Sequence, residues 1–72
     1  MRSGRQVVEV LESLGWKVVR QRGSHIILVR AGHRATLSVP DHKELARGTL
    51  RTLLRAANIS ADEFEQAAER AK

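Results

Sequence analysis

The apolar positions of the chain recur with two different periods, and the periods assign the elements. Val7, Val10, Leu11 and Leu14 fall at i, i+3, i+4 and i+7, so Ser3 to Leu14 is predicted as a helix with one buried face. Ser3 and Gln6 have the S-x-x-Q spacing of a capping box, and Gly15 stops the helix. Trp16 to Arg20 is short and β-prone, with a turn at Arg22-Gly23. His25 to Arg30 is a continuous apolar run of strand length, followed by a turn at Ala31-Gly32. Ala35, Leu37 and Val39 then alternate with Arg34, Thr36 and Ser38, which predicts a strand with one apolar face and one polar, basic face. Pro40 ends it. The helical period returns at Leu50, Leu53, Leu54 and Ala57, giving a helix over Arg47 to Ala57 capped by Asn58. Ser60 and Glu63 form a second capping box, with Ile59 and Phe64 at the positions of a hydrophobic staple. Phe64, Ala67, Ala68 and Ala71 are the apolar stripe of a last, short helix.

The predicted order is α-β-β-β-α-α, an α+β chain. Three strands joined by short turns make a three-stranded antiparallel sheet. Each helix has a stripe to bury, so helices cover one face. The other face stays open and carries Arg34, Thr36 and Ser38. Seventy-two residues allow a single domain, 1–72, with no repeat or linker. A chain of this size buries only about 60% of its unfolded surface, so its stability margin is thin. At 42% hydrophobic residues, disorder is excluded.

Cysteine is absent. That removes disulfides, thiolate metal sites and thiol nucleophiles together, and it favours a reducing, cytoplasmic setting. No apolar run approaches the ~20 residues of a membrane span, and no segment reads as a signal peptide. Thirteen basic and eight acidic residues give +5, unevenly spread. Residues 1–59 hold eleven basic and four acidic side chains, a surplus of +7, and residues 60–72 hold two and four, or −2. From Lys17 to Arg34 every charge is positive. Such a footprint attracts polyanions.

The candidate chemistry is narrow. His25, His33 and His42 are eight and nine residues apart, without the spacing of a metal site, and no cofactor is expected. Ser24 and His25 fail as a nucleophile and base, because neighbours in a strand point to opposite faces. Asp62, Glu63, Glu65 and Glu69 suit a solvated helix face, and Asp41 and Glu44 suit ion pairs in a basic loop. His25 follows the Gly23 turn, with Arg20 and Arg22 just before it. It is either a polar histidine at a strand edge or a general acid or base beside a phosphate-binding arginine pair. His42 and Lys43 precede the second helix, whose first N–H groups, with Lys43, Arg47 and Arg51, suit a phosphate; a solvated loop is the plain alternative. Trp16 and Phe64, the only aromatics, occupy core positions by pattern, which argues against base stacking on an exposed sheet.

Three runs resemble a known family. Arg20-Gln21-Arg22-Gly23-Ser24-His25 resembles the R-Q-x-G-S-H signature of HicA-type toxins. The run from Val39 to Leu50 is similar to that family's V-P-x-H-x-x-L-x-x-G-T-L segment. The opening from Ser3-Gly4-Arg5 to Gly15-Trp16 is similar to its S-G start and G-[FW] stop. The resemblance covers nearly the whole chain. It implies a fold like the double-stranded-RNA-binding domain, α-β-β-β-α, here with an extra short C-terminal helix. It implies a metal-independent endoribonuclease acting on mRNA or other single-stranded RNA, neutralised by a HicB-type antitoxin. The family's active histidine maps onto His25. Charge and position in this chain, rather than the resemblance, add Arg20, Arg22, Ser24, Arg34, His42, Lys43, Arg47 and Arg51 as the expected RNA-contacting set. Two positions depart from the pattern. Many members carry a second histidine directly after the first, where this chain has Ile26, and Asp41 stands in a loop that is often neutral or basic.

Two other classes remain at this stage. A non-catalytic double-stranded-RNA-binding module would share the fold, but that class places a K-K-x-A-K run at the start of its second helix, and this chain has Gly48-Thr49 among spread bases. A purely protein-binding subunit would show no RNA affinity at modest salt.

Overall fold

Helix α1 spans Gly4–Ser13 and begins as its sequence dictates. Ser3 Oγ accepts the Gln6 N–H at 3.1 Å, and Gln6 Oε1 accepts the Ser3 N–H at 2.9 Å, which closes the capping box. Val7, Val10 and Leu11 are buried on its inner face. A computed structural model describes residues 2–71 of the chain. Three strands follow: β1 Lys17–Arg22, β2 His25–Val29 and β3 Leu37–Pro40. They form one antiparallel sheet in the order β1-β2-β3. Helix α2 spans Arg47–Ala57 and ends on Asn58 in the left-handed conformation, φ 59°. Helix α3 spans Ala61–Arg70, with the Ser60–Glu63 capping box closed on both sides.

One sheet face is the core. Ile26 and Leu28 of β2 and Leu37 and Val39 of β3 point into it. Helix α1 lies against β1 and β3, α2 lies against β3, and α3 packs behind them on α1 and α2. Phe64 and Trp16 are both buried, at 1% and 2% exposure, as the pattern requires. The Trp16 indole N–H is buried without a partner, and the His33 ring packs on that indole with centroids 5.0 Å apart. Arg2 closes the outer side of α3, pairing with Glu65 and lying 5.2 Å from the centre of the Phe64 ring.

The strands differ from the sequence reading at their ends. Strand β3 begins at Leu37, so Arg34 to Thr36 belong to the preceding loop although burial still alternates through them. Pro40 is the last residue of β3, at the sheet edge, where no ladder N–H is needed. Strand β1 runs two residues further than expected, and the turn is Gly23-Ser24. Ala71 caps α3 and is exposed, so the buried stripe of that helix is Phe64 and Ala67, with Ala68 half-buried.

A bulge in β1 sets what the open face carries. Val18 pairs with Leu28, whose side chain is in the core, but Arg20 pairs with Ile27 rather than Ile26. Val19 is the extra residue. Side chains alternate faces along a strand, so one inserted residue moves all that follow to the opposite face. Arg20 and Arg22 thereby come to lie on the open face, opposite Ile27 and His25.

Candidate functional site

The hairpin tip delivers His25. Gly23, at φ 58°, turns the chain, and His25 is the first residue of β2. It pairs with Arg22 on one side and Pro40 on the other. Its side chain is exposed on the open face, while Ile26 beside it is 5% exposed and points into the core. A side chain at position 26 therefore does not share the surface of His25. The second histidine that the resembled pattern sets at this position is here a core isoleucine.

Ser38 Oγ lies 3.2 Å from Nδ1 of His25. Ser38 was not among the residues singled out from sequence, although alternation in β3 already set it on the polar face. Beyond it runs a groove of about 600 Å³, lined by His25, Ser38, Pro40 and, from the start of α2, Ala46, Gly48, Thr49 and Thr52. These α2 residues were missed as well, and their signal was the Gly48-Thr49 pair within the motif. Thr52 Oγ1 donates to the Gly48 carbonyl at 2.9 Å. Ala46 caps α2 without a side-chain bond.

The first residues of the chain brace this groove. The Gly4 N–H donates to the His42 carbonyl at 2.8 Å, and the Leu45 N–H donates to the Arg2 carbonyl at 2.9 Å. A Cβ on Gly4 would stand 1.9 Å from the Pro40 carbonyl oxygen, so only glycine allows this approach. Asp41 pairs with Arg5 at 3.2 Å, and its N–H donates to the Ser24 carbonyl at 2.6 Å. The loop from Asp41 to Ala46 is thus tied to both α1 and the hairpin tip. Asp41 departs from the family pattern, and here its charge is engaged by Arg5.

Of the residues singled out, Arg20, Arg22 and His25 share the open face, with Ser24 at the turn beside them. His42 and Lys43 are exposed in the braced loop. Arg34 lies in the loop that leaves the opposite end of β2 from His25. Arg47 and Arg51 line a different groove, between α2 and α3, with Leu54, Phe64 and Glu65. Another groove, about 700 Å³ between α1 and α3, is lined by Arg2, Glu9, Glu65 and Glu69 and holds none of these candidates. Among the described residues no three His, Asp or Glu side chains gather as a metal-binding group. His33 is occupied with Trp16, and its Nδ1 accepts the Ala35 N–H at 3.2 Å.

Helix, three antiparallel strands and helices over one sheet face define a fold of the double-stranded-RNA-binding-domain type. Residues 4–59 match the model of the family described as HicA toxin of bacterial toxin–antitoxin, and the chain belongs to that family. The matched span holds α1, the sheet and α2; α3 follows it. No curated protein matches the chain in sequence. Among the described residues no helix is long and apolar enough to cross a membrane.

Proposed function

We propose that this member of the toxin family is a metal-independent endoribonuclease that cuts mRNA in the cytoplasm, with His25 as general base and a HicB-type antitoxin as its inhibitor. The observation that carries the reading is the placement of His25: exposed, beside Arg22 on one side and at the mouth of an uncharged groove on the other. RNA supplies its own nucleophile, the 2′-OH next to each phosphate. His25 takes that proton. The 2′-oxygen attacks phosphorus, the bond to the 5′-oxygen breaks, and the 5′-oxygen is protonated by solvent. The products are a 2′,3′-cyclic phosphate and a free 5′-OH. General-base catalysis of this kind contributes roughly 10²–10⁴ in rate. Arg22, and Arg20 one step along the same face, meet the charge that builds on the phosphate oxygens.

The surplus of +7 over residues 1–59 supports an acidic antitoxin surface that docks over His25 and the arginines. The test is incubation of the native chain and His25→Ala with long single-stranded RNA in EDTA, once both give the same circular dichroism. Cleavage by the native chain alone is the expected result. A single deoxy substitution at the cleavage site abolishes cutting there. RNA bound but uncut by both proteins would favour the non-catalytic binding module instead.

A further inference from the structure

Charge is divided across His25. On the β1 side the open face carries Lys17, Arg20 and Arg22. On the α2 side the groove wall is Ser38, Pro40, Ala46, Gly48, Thr49 and Thr52, with neither a cation nor a carboxylate. We propose that this groove is a nucleobase subsite, which takes the base of the nucleotide whose ribose lies at His25. The proposal rests on the ribonuclease reading and adds the part of the substrate that the α2 side receives.

The chemistry of the walls selects the occupant. A phosphate entering the groove would leave water without gaining a countercharge, while Arg22 waits on the opposite side of the histidine. A base has apolar faces and a polar edge. The Pro40 ring and the Ala46 methyl meet the first, and the threonine hydroxyls meet the second. Thr52 gives its proton to the Gly48 carbonyl. Its remaining lone pairs accept a ring N–H or an exocyclic amine. A groove of about 600 Å³ falls within the range of small-ligand sites.

The covalent order of RNA matches the order across the sheet. In each nucleotide the ribose stands between its base and its 3′-phosphate. Across the strands, His25 stands between Arg22 and Pro40, with neighbouring strands about 4.8 Å apart. A base in the groove and a 3′-phosphate at Arg22 bring the ribose, and its 2′-OH, to His25. The subsite thereby makes the base on the 5′ side of the cut the one that sets cleavage preference.

The probes are the four 2′-fluoro homotetranucleotides, which lack the attacking hydroxyl and survive incubation. Each is titrated into the native chain and followed by the methyl signals of Thr49 and Thr52 and the side-chain signals of Arg20 and Arg22. The expected result is movement of both sets, with affinities that differ between bases by threefold or more. Thr52→Val, which keeps the shape and removes the acceptor, narrows that spread. An abasic version of the tightest probe moves the arginines only. Arginine shifts with silent threonines, or no binding by any probe at millimolar concentration, would overturn the subsite. Cleavage of unmodified RNA is scored in parallel. Cutting with silent threonines removes the subsite and leaves the ribonuclease reading standing. Threonine shifts without cutting keep a base-binding groove and remove the ribonuclease reading.

Discussion

Ser38 reaches Nδ1 of His25 from a diagonal position on the next strand, since its own partner in the ladder is Ile27. A hydroxyl in that place can accept from Nδ1–H whether or not Nε2 carries a proton. In the proposed reaction the ring would keep its orientation while Nε2 takes a proton from substrate and gives it up. Under the proposed ribonuclease reading, Ser38 would be a positioning residue and His25 the group that meets the RNA.

Ser38→Ala is expected to lower kcat about twofold to tenfold with little change in KM, the value of one ordinary hydrogen bond. Nitrogen-15 shifts of the His25 ring read the same contact without activity. In the native chain the neutral ring is protonated at Nδ1, and in the variant the tautomers mix. A native ring protonated at Nε2 would reverse the role assigned to the serine.

Arg22→Ala is expected to weaken binding of single-stranded RNA and to flatten its salt dependence. Each phosphate contact on a single strand contributes a slope of about −0.7 in log K against log salt. Titrations at several salt concentrations should show that loss for Arg22. Arg51→Ala, in the separate groove beside α3, should leave the slope unchanged.

Gly4→Ala tests the brace under the groove. The added methyl meets the Pro40 backbone, which has no flexible end to move aside. Overpacking of this kind costs about 1–3 kcal/mol. In a domain of this size each kcal/mol shifts Tm by roughly 4–8 °C, so a thermal melt resolves it. Gly48→Ala meets nothing within 4 Å and should melt no lower than the native chain.

Ile26→His introduces the doubled histidine that the resemblance implies. In this chain the new imidazole enters the core beside Val39. Burial of an unpartnered polar group costs about 1–3 kcal/mol. Urea unfolding should show that loss. Cleavage per folded molecule should not rise.

Much of this was legible in the residues. The helical periods, both serine capping boxes and Asn58 gave all three helices, because local hydrogen bonds and one apolar stripe decide them. The place of His25 at the start of β2 followed from the Gly23 turn, but the face it points to did not, since one step of register reverses it. The bulge at Val19 was not legible. Trp16 is fixed by the core at one end of β1, and the Gly23-Ser24 turn fixes register at the other. The count of residues between them is one too many for regular alternation, and only pairing with β2 reveals where the surplus is absorbed. The groove wall was hidden for a related reason. Ser38, Thr49 and Thr52 are ordinary surface residues until β3 and α2 are set side by side. Arg47 and Arg51 look like phosphate ligands from the start of α2 and their charge, and only the packed helices show that they line the groove beside α3.

The bulged strand also bears on how the protein keeps to itself. Strand β1 forms one edge of the sheet, is exposed along its whole length, and carries two uncovered valines, Val18 and Val19. An exposed edge strand with uncovered apolar side chains invites the same edge of another molecule. The bulge breaks its hydrogen-bonding row, and Lys17, Arg20 and Arg22 would face their own like charges across any such contact. That repulsion reaches about 10 Å at 0.1 M salt and about 3 Å at 1 M. Concentrated brine, which loosens the hold of these cations on a polyanion, also disarms the guard on the edge, and self-association should grow as salt is raised.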